Sequence, residues 1–126
     1  MMSGLCHVLI VEDDDGVREL LRDLFRCRGF RVSVATDGEM MRPILGKGDV
    51  DLCVIDVDLP GRDDGLILAN EAAGFGCGVV LISGDFAVVE RVATSGHRFL
   101  PKPFGLRGLM RMVHGALKED KDKGRH

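Results

Sequence analysis

Short apolar runs alternate with amphipathic stretches from one end of the chain to the other, and that alternation predicts β-α-β units building a parallel sheet. The runs are 7–11 (HVLIV), 31–35 (RVSVA), 52–55 (LCVI), 79–82 (VVLI) and 98–100 (RFL). The first, third and fourth are nearly continuous in aliphatic residues, as strands covered by helices on both faces must be, whereas RVSVA alternates and belongs nearer an edge.

Between the first two runs, Val17, Leu20, Leu21, Leu24 and Phe25 recur at spacings of three and four, with Gly29 placed to end the helix. The stretch 37–45 opens on Asp37, a good N-cap, but contains Pro43 and runs into Gly46 and Gly48, which predicts a short or kinked helix. Two further short helices are expected over 66–73 and 86–93. A last one over 106–117 carries Leu106, Leu109, Met110, Val113 and Leu117 on one stripe, and 118–126 reads as a charged, frayed tail. The expectation is one domain spanning 1–126, with its core in 7–117 and no internal repeat or linker.

At 126 residues and 45% hydrophobic content the chain is of a size to bury one proper core. A net charge of −3 gives no basic footprint for a phosphate backbone, so nucleic-acid binding is not expected. No apolar run reaches the roughly 18 residues that span a bilayer, and residues 1–6 lack the flank and core of a signal peptide. A soluble, cytoplasmic protein follows as the expectation. Cys6, Cys27, Cys53 and Cys77 are scattered without a C-x-x-C pair, which argues against zinc. Cys27 and Cys53 are expected to be small buried hydrophobes.

In an open parallel sheet, functional groups collect beyond the carboxyl ends of the strands. Here Glu12, Asp13, Asp14 and Asp15 follow the first run, Asp56 and Asp58 the third, Ser83 the fourth, and Lys102 with Pro103 the fifth. Carboxylates held together repel one another unless a cation bridges them, and an oxygen-rich site with an open face suits Mg²⁺. A carboxylate nucleophile, countercharge and a hydroxyl are the parts that phosphoryl transfer uses. Singly, each has a plainer reading: Asp14 or Asp15 as a helix cap, Asp56 as a turn former, Ser83 as a cap, Lys102-Pro103-Phe104 as loop punctuation. The specificity lies in their conjunction, in that order, at successive strand ends.

With those residues in place, the chain resembles the receiver domains of two-component response regulators, of the chemotaxis-regulator type. The likeness runs from His7 to about Leu117 through VLIVEDD, DLCVIDVDLPG, VVLISG and FLPKPF. It implies a flavodoxin-like, doubly wound α/β fold, with a five-stranded parallel sheet in the order 2-1-3-4-5 and helices on both faces. It implies Asp56 as the phosphoacceptor, Asp13 as a direct metal ligand, Glu12 as the second acid, and Asp58 as supplier of a backbone carbonyl to the metal. Ser83 matches the switching hydroxyl, Lys102 the lysine that contacts the phosphoryl group, and Phe99 the aromatic that turns inward, or else a permanently buried strand residue. The Lys102–Pro103 bond is expected to be cis.

The same resemblance implies Mg²⁺ as cofactor, with Mn²⁺ able to substitute, and a sensor histidine kinase or histidine phosphotransfer protein as donor. It places an output partner, or a second copy in a homodimer, on the face formed by the fourth helix, fifth strand and last helix. A signalling switch rather than an enzyme is implied, with self-phosphorylation and autodephosphorylation, and Asp58 and Asp85 at the positions that tune the attacking water. None of His7, His97, His114 and His126 is placed to donate a phosphoryl group.

The sequence departs from the family pattern in its Glu-Asp acid pair, in a loop at 61–65 one residue longer than usual, and in Gly84 where alanine is frequent. One rival is a small aspartate-nucleophile phosphatase of the haloacid dehalogenase type, which Asp56-Val57-Asp58, Ser83 and Lys102 loosely echo. Its acids come in the wrong order, and the chain leaves little room for a cap. The other is a degenerate receiver acting only as a binding module, which the intact acid, hydroxyl and lysine set opposes.

Overall fold

The computed structural model describes residues 5–59, 64–85 and 88–124. Among the described residues strands and helices alternate: β1 (His7–Val11), α1 (Asp15–Cys27), β2 (Arg31–Ala35), α2 (Gly38–Gly46), β3 (Leu52–Asp56), α3 (Gly65–Gly74), β4 (Gly78–Ser83), α4 (Val89–Ser95), β5 (Arg98–Pro101) and α5 (Leu106–Gly124). All neighbouring strands pair in parallel, in the order β2-β1-β3-β4-β5. The alternating RVSVA run is indeed an edge strand.

Strand side chains point to opposite faces in turn, and each face has its own apolar layer. Leu9, Val11, Cys53, Ile55, Val79 and Leu81 pack with Met41 and Leu45 of α2, Leu68, Ala69 and Ala72 of α3 and Val92 of α4. Val8, Ile10, Leu52, Val54, Val80 and Ile82 pack with Leu21 and Phe25 of α1 and Leu109, Val113 and Ala116 of α5. Burying a leucine or phenylalanine of this kind is worth roughly 1.5–3 kcal/mol, so the two layers, not any surface ion pair, hold the strand ends in register. Gly78 lets α5 lie close, since a Cβ there would sit 2.9 Å from the Ala116 carbonyl oxygen.

Several local expectations need correction. Leu20 is 56% exposed, because Leu21 and Phe25 take the side of α1 that faces the sheet. Cys27 is exposed at the last turn of α1, while Cys53 is buried as expected. The last helix runs on through Gly124, past the expected end at Leu117. The fourth helix begins at Val89, and Phe86 and Ala87 of its expected start lie outside the described residues, as do residues 61–63 of the longer loop. Pro43 does sit inside α2, which is nine residues long. Among the described residues no helix is long and apolar enough to cross a membrane.

Candidate functional site

The register brings the carboxyl ends of β1, β3, β4 and β5 to one edge of the sheet. The Glu12 N–H continues the ladder by donating to Ala35 O at 3.0 Å, and Val57 N–H donates to Ile82 O at 2.9 Å. Lys102 N–H donates to Ser83 O at 2.7 Å, so β4 hands its lysine neighbour a fixed position just before the cis Lys102–Pro103 bond. Backbone bonds therefore place each side chain.

Glu12, Asp56 and Ser83 are buried polar residues, and Asp13 and Asp58 are exposed beside them. Carboxylate oxygens of Glu12, Asp13 and Asp56 lie within 4.8 Å of one another. The Lys102 ammonium reaches across them, donating to Glu12 Oε1 at 3.0 Å and Asp56 Oδ2 at 3.2 Å. The other Asp56 oxygen, Oδ1, accepts from the Asp58 N–H at 2.9 Å.

The electrostatics follow from that crowding. Burial, reinforced by the neighbouring Asp56 carboxylate, lifts Glu12 from an ordinary 4.5 to about 7 against the pull of Lys102. Burial alone lowers the pKa of Lys102, but the hydrogen bond to Glu12 and the negative charges around it win and raise it. The crowded carboxylates of Glu12, Asp13 and Asp56, with an open side at Asp13, form a hard-oxygen donor set that fits a divalent cation such as Mg²⁺.

Ser83 stands at the same edge but makes its side-chain bonds to Asp58 and Asp85. Its hydroxyl donates to Asp58 Oδ2 at 2.7 Å and accepts from the Asp85 N–H at 3.0 Å. Phe99, on β5, is half-buried and packs against the apolar layer of α2, α3 and α4. The Lys102 ammonium and the Asp58 N–H thus contact the Asp56 carboxylate directly, while the Ser83 hydroxyl is held to one side on Asp58.

Two contributors escaped sequence reasoning. Arg18 braces the acidic loop, donating to Glu12 O at 3.0 Å and Asp13 O at 3.4 Å while pairing with Asp15; its three-residue spacing from Asp15 was the available signal. Gly65, first residue of α3, lies against the acceptor strand, where an added Cβ would be 2.3 Å from Asp56 O and 2.5 Å from Val57 Cα. In the sequence it shows only as the end of a turn-forming Asp-Asp-Gly. Asp14 caps α1 through Val17 N–H at 2.9 Å, which is the plainer of the readings open to it.

A family model described as response regulator receiver domain matches residues 8–114. Regulatory protein VirG of Agrobacterium tumefaciens is 33% identical over 119 residues, covering 90% of this chain and 44% of VirG. Aerobic respiration control protein ArcA of Escherichia coli is 31% identical over 122 residues, covering 94% of this chain and 51% of ArcA. The chain thus spans about half the length of these curated relatives. A CheY-like receiver domain protein from Methanospirillum hungatei superimposes with a TM-score of 0.83 at 20% identity, covering 95% of this chain and 99% of that one, a likeness of fold.

Proposed function

The chain belongs to the response regulator receiver domain family, the phosphoacceptor switches of two-component signalling, and we propose that it takes its phosphoryl group on Asp56. The observation that carries this reading is the lysine bridge. Lys102 joins the buried Asp56 carboxylate to Glu12 at an edge where Asp13 also stands within reach.

The donor is a phosphohistidine on a sensor kinase or a phosphotransfer protein. An Asp56 carboxylate oxygen attacks phosphorus, the P–N bond breaks, and its electron pair returns to the imidazole nitrogen. Asp58 N–H and the Lys102 ammonium hold the two oxygens of Asp56, fixing the carboxylate plane for attack. Lys102 then neutralises charge on the phosphoryl oxygens. Glu12, Asp13 and Asp56, with the Asp58 carbonyl, would hold Mg²⁺, which supplies countercharge to the transferring group. Phosphorylation shifts Ser83 and Phe99 and so biases the face of α4, β5 and α5 toward an output partner or a second copy. Slow hydrolysis resets the switch, and small phosphodonors serve in place of the kinase. The whole of 1–126 acts as one such domain, in the cytoplasm.

The test is intact mass after acetyl phosphate with Mg²⁺. The parent gains one phosphoryl group, Asp56→Asn gains none, and chelation of the metal abolishes the gain in the parent. An unchanged gain in Asp56→Asn contradicts the assignment.

A further inference from the structure

The hydroxyl of Ser83 has one hydrogen, and it is spent on Asp58. The Ser83 Oγ donates to Asp58 Oδ2 at 2.7 Å, a charge-assisted bond, and accepts from Asp85 N–H at 3.0 Å. Asp58 meanwhile donates its own N–H to Asp56 Oδ1 at 2.9 Å. One residue thus grips the acceptor with its backbone and the switching hydroxyl with its side chain. Ser83 is buried, so its hydrogen has few other partners to choose from, whereas the exposed Asp58 carboxylate is readily resolvated when released.

A hydroxyl donating to Asp58 is unavailable to an oxygen of a group bound on Asp56. The two bonds compete for a single hydrogen, so the resting one sets a threshold that the phosphoryl group must overcome. We propose that Asp58 is a positioning residue that latches Ser83 in the unphosphorylated state and thereby biases the switch toward rest. This deepens the Asp56 reading and rests on it. The latch is distinct from simple repulsion between the Asp58 charge and an incoming anion, because it acts only through the Ser83 hydroxyl.

Fluoroberyllate with Mg²⁺, a mimic of the aspartyl phosphate, provides the probe, with its bound fraction read by fluorine NMR. Removing the acceptor in Asp58→Ala tightens fluoroberyllate about tenfold, the loss of one charge-assisted hydrogen bond at ~1.4 kcal/mol per decade. Asp58→Asn, which keeps an acceptor oxygen without the charge, tightens it less. Within a Ser83→Ala background the Asp58→Ala gain disappears, because no latch remains to release. Equal gains with and without Ser83 overturn the latch and leave charge repulsion as the cause, and so does an Asp58→Ala affinity equal to the parent's. A parent that takes up no fluoroberyllate overturns the Asp56 reading and the latch with it, so the two failures are told apart by the parent alone.

Discussion

Charged residues gather at both ends of the sheet, and the two gatherings are built to opposite ends. At the amino ends of β1 and β2, the buried His7 ring has every polar atom answered. Its Nε2 lies 2.7 Å from Ser33 Oγ, its Nδ1 faces the Asp49 carbonyl at 3.2 Å, and its backbone N–H donates to Asp51 Oδ2 at 2.8 Å. Arg31 pairs with Asp49 over the top of it. At the carboxyl ends, Glu12, Asp13, Asp56 and Asp58 stand together, with Lys102 the cation bonded to Glu12 and Asp56. The first cluster is closed and the second has acid to spare. Burying a polar group is tolerable when it is partnered; leaving carboxylates crowded is tolerable when a cation bridges them. The difference marks the carboxyl-end cluster, not the amino-end one, as the candidate functional site.

The largest effect should come where the functional end is most tightly packed. Gly65→Ala forces a Cβ into the backbone of Asp56 and Val57, and should cost ~3 kcal/mol together with loss of phosphorylation. Urea denaturation and the acetyl phosphate mass assay check both halves, and a variant of parental stability would contradict the contact. Next, His7→Ala removes a buried ring and strips its partner from Ser33, so it should destabilise by ~2 kcal/mol. If the amino end is purely structural, this variant, assayed at a temperature where it is folded, is still phosphorylated at the parental rate; a tenfold loss would mean the two ends are coupled.

A smaller effect is set by pH. In metal-free buffer Glu12 holds its proton more tightly folded than unfolded, so the stability due to its neutral form is full below 4.5 and lost as pH rises through about 7. The parent should lose on the order of 1–2 kcal/mol relative to Glu12→Gln between those limits, read as urea midpoints at a series of pH values. Mg²⁺ affinity should move the other way, rising with pH as Glu12 ionises. A parent and Glu12→Gln with superimposable pH profiles would remove the crowding argument. The smallest change is Gly84→Ala, whose Cβ would meet the Lys102 stem at 3.8 Å, ordinary contact. It should shift stability by less than ~0.5 kcal/mol and leave phosphorylation in place.

The contrast also explains what could be read from the chain. Strands buried on both faces must be apolar throughout, so LCVI and VVLI announced β3 and β4, and the acids, Ser83 and Lys102 fell at strand ends that sequence order alone could number. The amphipathic stripes told which helices exist but not which side chain on the stripe's margin is covered, hence Leu20 and Cys27. The polar stretch after Leu117 carries no apolar repeat, so nothing in it signalled that the helix continues to Gly124. Least legible was direction. The resemblance marks Asp58 for its backbone carbonyl and for a water, and nothing in its spacing announces the bond its carboxylate accepts from Ser83. A side chain's orientation is decided by neighbours on other strands, which spacing along the chain does not encode.

The central claim is that Asp56, held between Lys102 and the Asp58 N–H, is the group that carries the phosphoryl. Borohydride reduces an aspartyl phosphate to the corresponding alcohol and leaves free aspartate untouched, so peptide mass mapping after acetyl phosphate, Mg²⁺ and borohydride reads the acceptor directly. The account predicts the reduced residue at position 56 and nowhere else, with none when Mg²⁺ is chelated. Reduction at Asp13 or Asp58 with Asp56 intact would contradict it.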